Sequence, residues 1–433
     1  MTDGMRSLGP IRLASGISPT NAGFFLLSAL LGICLTTYIS AIQPYVLAVN
    51  LGLPDDQQGQ VSGLALFAGE IVLLISSAFI GAFSDRIGRR GVFFCGALLL
   101  ALGYVLFGYV DSVTTLVVVR MFMTIGIAVV NVMVGVLMVD YPAEESRGKL
   151  VALAGIAIGI GNILIGVVFL RLPEIFSADG TDALTAGRLT MFTMAALCLL
   201  LALVVRIGIK GGRPEKAHEH EPFRQRVAMG VRAGRENGRV LLAYFCAFVA
   251  RGDLVVIGTF FTLWLTQAGM QMGMSPEEAV KQAGIRFAIV MSAALVWAPV
   301  MGWLNDHMDR ANAMGLAMGL AAAGYTGMAF VPDPFGVWMY PAMGLLGIGQ
   351  ISAVLASQTL IGQESPPAYR GSVVGMFSMF GAAGILFISS VGGWTFDAIS
   401  PVAPFVLIGG ANGLLCLAAI GVARITQPRV DYD

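Results

Sequence analysis

Long uninterrupted apolar runs constrain this chain more than any other feature of its sequence. An α-helix rises 1.5 Å per residue, so about 20 apolar residues cross the roughly 30 Å hydrocarbon layer of a bilayer. Strands of a membrane barrel are about half as long and alternate between apolar and polar residues, a pattern that these runs lack. The runs therefore predict spanning helices. Twelve of them are long enough: residues 23–49, 61–83, 92–110, 113–139, 149–170, 189–209, 240–267, 284–304, 311–331, 336–361, 371–392 and 401–423.

The composition agrees with a membrane protein and excludes several other classes. Hydrophobic residues make up 57% of the 433 residues and charged residues 12%, whereas an average soluble domain has about 25% charged residues. The formal net charge of zero does not indicate a nucleic-acid-binding protein. The cysteines lie inside apolar runs without paired spacing, and no nucleotide-binding or hydrolase motif is present. We expect neither an enzyme nor a bound metal or cofactor.

The distribution of lysine and arginine predicts how the spans are oriented. If both termini lie on one side, most of the 26 basic residues fall in the loops of that side. Cytoplasmic loops carry such an excess, so both termini are predicted to be cytoplasmic, in the plasma (inner) membrane. We call this side the predicted cytoplasmic side and the other the predicted external side. The first run is too long for the apolar core of a signal peptide and is expected to be retained.

The longest loop divides the chain near its middle. Residues 206–239 are rich in basic side chains and separate a predicted N-terminal six-helix bundle, residues 1–205, from a C-terminal six-helix bundle, residues 240–433. A basic loop beside the membrane favours a helix on the inner surface, which we expect within it. Ser275 and Glu278 have the spacing of a capping box and predict a short external helix between spans seven and eight.

The two halves share residues at a nearly constant separation. These residues lie in the loops after spans two and eight and after spans four and ten. Such recurrence in equivalent loops implies a tandem duplication. The pairs are Gly81 and Gly302, Asp85 and Asp306, and Arg89 and Arg310, separated by 221 positions, and Arg147 and Arg370, separated by 223.

The loop between spans two and three carries a family resemblance. Residues 81–91 read GAFSDRIGRRG, which is similar to the signature loop G-x-L-a-D-R-x-G-R-R of the major facilitator superfamily, with Phe83 in place of the usual leucine. The chain resembles that superfamily over nearly its whole length. The resemblance implies an all-α membrane protein of twelve transmembrane helices in two six-helix bundles, the major facilitator fold, that works by alternating access.

The same resemblance implies a gate on the predicted cytoplasmic side. Asp85 would face the start of the eleventh span when that side is closed, a contact made in only one access state. Glu144 and Arg147 are expected to form an ion pair, as are Glu364 and Arg370. The alternative is that these charges only fix the topology. The predicted gating residues are Gly81, Asp85, Arg86, Gly88, Arg89, Arg90, Asp306, Arg310, Arg147, Glu364 and Arg370.

Four ionisable residues lie well inside the predicted spans, where a charge costs about 2.5–3.5 kcal/mol on insertion scales. The depths of Glu70 and Arg120 allow an ion pair. Arg251 and Asp253 lie about 200° apart around a helix, so they cannot share a partner unless the helix is broken at Gly252. None of the four is duplicated in the other half. Burial favours a neutral carboxyl group, so Asp253 and Glu70 are the predicted proton-coupling residues, with structural pairing as the alternative.

Polar and aromatic side chains on four spans predict a central binding cavity. Arg120, Thr124 and Asn131 share one helix face, and the resemblance implies that spans one, four, seven and ten line the cavity. The mixture suits an amphipathic organic solute, with an anionic group as one option. Interhelical hydrogen bonding is the alternative for each amide and tyrosine. The predicted substrate-binding residues are Arg251, Arg120, Tyr38, Gln43, Thr124, Asn131, Trp264 and Gln350.

Together these features predict a secondary active transporter that moves a small organic solute by alternating access, coupled to protons. The expected partners are that solute, protons and the lipid bilayer, with no nucleic acid, and the expected state is a monomer. The alternatives are an uncoupled facilitator, a drug/proton antiporter and a transporter-like sensor. Some proton-driven drug exporters of the superfamily have a Gly-Pro pair in span five. In this chain that span reads GIAIGIGNILIG, without a proline, and so departs from the drug-exporter pattern.

Overall fold

The structure is a computed structural model that describes residues 7–211, 223–366 and 369–426. This part of the chain is almost entirely helical, apart from one two-stranded hairpin near its start. The strands are β1 (Ser7–Leu8) and β2 (Ile11–Arg12), and the helices are α1 (Pro19–Val49), α2 (Asp55–Ile87), α3 (Arg89–Phe107), α4 (Val113–Asp140), α5 (Arg147–Val167), α6 (Leu172–Ser177), α7 (Ala183–Gly208), α8 (Phe223–Glu236), α9 (Gly238–Val255), α10 (Thr262–Gln271), α11 (Pro276–His307), α12 (Arg310–Gly327), α13 (Met339–Glu364), α14 (Arg370–Ala398) and α15 (Ala403–Ile425).

Twelve helical segments of the described chain are long and apolar enough to cross a membrane, which confirms the predicted number of spans. Span seven consists of α9, a π-helical turn and α10 in succession. Polar caps set where several spans begin. Ser18 Oγ accepts from the Asn21 N–H at the start of α1, and Ser112 Oγ accepts from the Thr115 N–H at the start of α4. The length of an apolar run therefore locates a span, and the N-terminal cap fixes the residue at which its helix begins.

The two helices predicted in loops have different outcomes. The loop after span six contains α8, which packs so closely on α14 that a Cβ at Gly230 would lie 2.9 Å from Met376 Cβ. The Tyr244 hydroxyl also donates to the Gly230 carbonyl at 3.0 Å. The separate external helix predicted at Ser275 is wrong, because Ser275 Oγ caps α11 itself and that helix continues to His307.

The chain divides into two compact units. Their boundaries pass through α2 and α11, so that the first turns of each helix belong to a different unit from the rest of it. The division into bundles at residues 205 and 240 stays a prediction. The first unit comprises Met1–Leu53, Ala68–His218 and Gly269–Ala288, and the second comprises Pro54–Phe67, Glu219–Ala268 and Ile289–Asp433.

Equivalent helices pack together in both units. In the first unit, α1 packs on α5, and α3 packs on α4 and α7. In the second unit, α9 packs on α14, and α12 packs on α13 and α15. In span order the pairs are one with five, three with four and three with six, then seven with eleven, nine with ten and nine with twelve. The duplication inferred from the loops therefore extends to the packing of the helices.

Candidate functional site

Asp253 on α9 is completely buried in the second unit. Its Oδ1 accepts from Asn412 Nδ2 of α15 at 3.0 Å, and its backbone carbonyl accepts from the Tyr325 hydroxyl of α12 at 3.0 Å. Its Oδ2 is buried and has no hydrogen-bond partner among the described residues. A proton can occupy this second oxygen without breaking an existing hydrogen bond. The geometry therefore suits a group that gains and loses a proton.

Span seven changes its helical geometry directly after Asp253. The backbone N–H of Val256 is shared between the carbonyls of Asp253 and Gly252, and a π-helical turn follows over Val256–Phe261. Such turns are rare within α-helices and often occur at functional sites. A break at Gly252 entered the sequence analysis only as the condition for Arg251 and Asp253 to share a partner. The change in helical geometry instead follows Asp253.

Arg120 on α4 is 4% exposed and directs its guanidinium towards α1. Nη2 donates to Ser40 Oγ at 2.5 Å, whereas Nη1 is buried without a hydrogen-bond partner in the described part of the chain. The Thr124 hydroxyl donates to the Arg120 carbonyl at 2.8 Å, so its own donor is used within α4. Glu70 is half-buried on α2, and its pairing with Arg120 stays a prediction.

Gln43 lies three positions after Ser40 on α1, so the two side chains share a helix face. Gln43 is completely buried, and neither its Oε1 nor its Nε2 has a hydrogen-bond partner within the described ranges. An unsatisfied buried polar group costs about 1–3 kcal/mol. The Arg120 side chain contacts α1 at Ser40, one helical turn before Gln43.

The other predicted binding residues of the first unit have different environments. Tyr38 is completely buried, and its hydroxyl donates to the Phe169 carbonyl at 3.3 Å, which is the interhelical hydrogen bond considered as the alternative. Asn131 is exposed on α4. Of the residues predicted on spans one and four, Arg120 and Gln43 are those with buried side-chain polar atoms that have no partner within the described ranges.

The second unit holds the remaining predicted binding residues. Arg251 is exposed on a different face from Asp253, as their spacing predicts, and a Cβ at Gly381 would lie 2.7 Å from its Cγ. Trp264 packs edge-on against Phe405 with the ring centroids 5.7 Å apart. Gln350 is buried on α13. These side chains are distributed over several helix faces, and roles for them in binding stay predictions.

Two predicted gating arginines of the first unit form ion pairs on the predicted cytoplasmic side. Arg89 at the start of α3 pairs with Asp140 at the end of α4. Arg147 makes two hydrogen bonds to Glu144, at 2.5 and 2.7 Å, which is the pair predicted from the sequence. Gly88, which precedes α3, has a φ of +104°, a conformation that glycine adopts without strain. This explains one glycine of the signature loop.

The side chain of Asp85 lies outside the described residues, so its role in the gate stays a prediction. The other predicted gating residues of these loops lie at or near helix ends. They are Gly81 within α2, the exposed Arg86 and Asp306, and the half-buried Arg90 and Arg310.

One arginine that the sequence analysis did not single out ties four helix ends of the second unit together. Arg239, at the start of α9, is 1% exposed. Its Nη1 lies 2.8 Å from Asp309 Oδ2 before α12 and 3.8 Å from Glu364 Oε1 at the end of α13. Its Nε and Nη2 donate to the hydroxyl and carbonyl of Thr426, after α15, each at 3.0 Å. One guanidinium thus stabilises the packing of α9, α12, α13 and α15.

The predicted pair of Glu364 and Arg370 is wrong. Glu364 accepts from Asn237 Nδ2 at 2.9 Å and faces Arg239, whereas Arg370 Nη2 donates to the Gly362 carbonyl at 2.6 Å. Arginines near the end of a helix often bind its last carbonyl groups, which have no partner within the helix. Arg370 takes this role at the end of α13, and the buried carboxylate of Glu364 faces Arg239 instead.

Comparison with known proteins gives matches over nearly the whole chain. The sequence profile of the Major Facilitator Superfamily matches residues 24–389. The alignment with Magnetosome protein MamH of Paramagnetospirillum magneticum covers 92% of this chain and 91% of MamH, at 28% identity. The alignment with Magnetosome protein MamZ of Magnetospirillum gryphiswaldense covers 93% of this chain and 62% of MamZ, at 25% identity.

Two solved structures extend this likeness to the arrangement of the helices. The nucleoside transporter NupG aligns with 94% of this chain and 100% of its own, with a TM-score of 0.72 at 14% identity. The D-xylose-proton symporter aligns with 94% of this chain and 98% of its own, with a TM-score of 0.62 at 18% identity. At such low identity, the likeness establishes the fold alone.

Proposed function

Because the chain belongs to the Major Facilitator Superfamily, we propose that it is a secondary active transporter that moves a small organic solute by alternating access, coupled to protons. The twelve-helix fold predicted from the sequence is confirmed. The observation that carries the coupling proposal is the buried carboxyl group of Asp253, whose Oδ2 has no partner among the described residues. Asp253 would bind a proton at Oδ2 in one access state and release it in the other.

The π-helical turn supports a way to couple this proton to movement. A π turn holds more residues per turn than an α-helix, so if it shifted along span seven, α9 would rotate relative to α10. Asp253 lies at the end of α9 just before the turn. Rotation would change which groups face Oδ2, and therefore how favourably the proton is held there.

We place the polar end of the solute at Arg120 and Gln43. Arg120 Nη1 offers a charged donor, and the Gln43 amide offers one donor group and one acceptor. A carboxylate next to a hydroxyl or amide would satisfy this set, because charge-assisted hydrogen bonds to arginine are about twice as strong as neutral ones. The proposed solute is therefore a small organic anion, and a neutral polar solute is the alternative.

We also propose that both termini are cytoplasmic, because the basic loops favour that orientation, and that the protein is monomeric. The plasma membrane is the first candidate for its location. The relatives MamH and MamZ are called magnetosome proteins, which makes a magnetosome membrane the second. Fractionation of cells that express a tagged protein would distinguish the two membranes.

The transport proposal is tested with purified protein in liposomes that contain a pH-sensitive dye. The liposomes are challenged with organic acids, sugars, nucleosides and lipophilic cations, and uptake of radiolabelled solute is measured in parallel. We expect one organic acid to cause both uptake and proton movement. Uptake without proton movement would indicate an uncoupled facilitator. Binding without uptake would indicate a sensor and contradict the proposal.

Gln43→Leu is expected to stabilise the protein and to weaken solute binding. Leucine is similar in size and needs no hydrogen bonds, so removing two unsatisfied atoms should raise the free energy of unfolding by about 1–3 kcal/mol. The loss of a solute contact should weaken binding by about tenfold. Thermal unfolding in detergent measures the first effect, and equilibrium binding of the solute found in the liposome assay measures the second.

Gln267 provides the matched control for this substitution. It is 3% exposed, but its Nε2 donates to the Asp55 carbonyl at 3.0 Å and to Gln58 Oε1 at 3.2 Å. Gln267→Leu removes satisfied hydrogen bonds and should lower the unfolding temperature. If Gln43→Leu lowers it equally, the Gln43 amide has a partner in the folded protein and is not reserved for the solute.

A further inference from the structure

Two acidic side chains occupy equivalent positions near the ends of spans five and eleven. Asp397, near the end of α14, accepts from the backbone N–H of Gly59 through Oδ1 at 2.8 Å and from that of Gln60 through Oδ2 at 2.7 Å. Glu174 of α6 forms an ion pair with Lys281 near the start of α11. The first contact lies inside the second compact unit and the second contact inside the first unit.

The duplication relates these two contacts to each other. Asp397 follows Glu174 by 223 positions, and Lys281 follows Gln60 by 221. These are the separations found between the repeated loops after spans four and ten and after spans two and eight. Each acid therefore contacts the second span of the other repeat. The contacted residues, Gln60 and Lys281, are equivalent in the duplication. The donor differs, since one copy uses backbone N–H groups and the other a lysine side chain.

Close backbone contacts obey the same relation one turn further along. A Cβ at Gly63 would lie 2.1 Å from the Ser389 carbonyl oxygen, and a Cβ at Gly284 would lie 2.7 Å from the Gly166 carbonyl oxygen. Gly284 follows Gly63 by 221 positions, and Ser389 follows Gly166 by 223. In both repeats, small residues thus bring the backbones together directly below the acidic contact, as at the crossings of small residues in membrane helices.

The residues of the acidic contact and of the glycine crossing are duplicated, whereas the ionisable residues inside the spans are not. Glu70, Arg120 and Asp253 occur in one half only, whereas the acidic contact and the glycine crossing occur in both. A contact repeated on both sides of the pseudo-symmetry joins the second span of each repeat to the fifth span of the other. Such a contact must break if these spans separate on the predicted external side.

We propose that Asp397 and Glu174 are positioning residues of the transport cycle, which hold the predicted external ends of these helices together and so set the balance between the two access states. The proposal rests on the alternating access of the proposed function. Asp397 adds its charge near the start of α2, where the partial positive charge of the helix dipole favours an anion. Glu174 reaches the same effect through the positive charge of Lys281.

The balance between the two access states is measured from the distance between two spin labels on the predicted external side. Labels are attached to Asp179→Cys and Asp333→Cys, two exposed positions in different predicted halves, in a protein in which the exposed Cys95 is replaced by serine. Reconstituted protein without solute is used at one fixed pH, so that the differences between variants depend neither on the substrate nor on a change in protonation. The fraction of molecules with the longer distance reports the state that is open on this side.

Asp397→Asn and Glu174→Gln are expected to raise the ratio of open to closed molecules by about tenfold each, the effect of losing one charge-assisted hydrogen bond. The amide that replaces Asp397 has one oxygen and would turn its NH₂ group towards an N–H donor. Asp111→Asn is the matched control, because this exposed acid on the same side accepts from Thr115 four residues away. It should leave the distances unchanged.

A charge exchange makes the result independent of folding defects. Glu174→Lys alone places two cations together and should open this side further, whereas Glu174→Lys combined with Lys281→Glu should restore the wild-type ratio. If both acid variants match the Asp111→Asn control, or if the exchange fails to restore the ratio, the proposal is overturned. If the distances shift as expected but no solute is transported, the proposed function is wrong and the role of these acids in holding the external side closed stands.

Discussion

Asp253→Asn is expected to abolish proton-linked transport while the protein stays folded. The new amide oxygen can still accept from Asn412 Nδ2, and the Tyr325 hydroxyl is unaffected because it donates to the backbone carbonyl of residue 253. The substitution keeps the volume of the side chain and removes only its ability to carry a proton. Proton movement driven by solute should fall to the level of liposomes without protein.

Exchange of labelled for unlabelled solute separates coupling from binding. A carrier with a permanently neutral residue 253 should still exchange solute, because exchange needs the loaded carrier to reorient but needs no net release of a proton. We therefore expect exchange in Asp253→Asn at a rate close to that of the wild type. Loss of both activities would place Asp253 in the binding or structural machinery instead.

Glu70→Gln and Asp111→Asn complete this experiment. Glu70 is the other predicted proton carrier, and Asp111 is an exposed carboxylate in a loop, whose neutralisation should have no effect. If Glu70→Gln removes proton movement and Asp253→Asn does not, the proton is carried by Glu70. If both variants keep full proton-linked flux, the coupling proposal is wrong.

The spans could be predicted from the sequence because each depends on a local property, the length of an apolar run. The caps at Ser18 and Ser112 have the same local character. The external helix at Ser275 was wrong for a related reason, since a capping box marks where a helix begins but carries no information about where it ends. Here the helix continued through the membrane as α11.

The partners of the buried charges depend on residues far apart in the chain, and local patterns do not reveal them. Asn412 lies 159 positions from Asp253, and its amide is one of many polar groups in apolar runs. The only signal for it was that an asparagine inside a span needs a partner. The acidic contacts of Asp397 and Glu174 had a stronger signal, because the repeat separations of 221 and 223 positions could have been applied to the external loops as well.

Arg239→Met is expected to destabilise the protein by about 3–5 kcal/mol, the usual cost of removing one partner from a buried ion pair. Glu364 is 1% exposed on its side chain and would lose its buried cation, and Thr426, which follows α15, would lose two hydrogen bonds from Arg239. Thermal unfolding in detergent measures this loss. Arg232→Met is the control, since Arg232 pairs with Glu236 on the exposed surface of α8 and its loss should not be measurable.

The pH dependence of this difference tests the part of it that the pair of Arg239 and Asp309 contributes. Burial acts to raise the pKa of Asp309, but hydrogen bonds from Arg239 and from the backbone N–H groups of Asn312 and Ala311 outweigh it and hold the pKa below the ordinary value of 3.8. A carboxylate with a lowered pKa stabilises the folded state above its ordinary pKa, and the effect is lost as the pH falls through the lowered value. The advantage of the wild type over Arg239→Met should therefore be constant near neutral pH and shrink below about pH 4. A difference that stays constant into strong acid would show that Arg239 stabilises the protein through its other contacts instead of through Asp309.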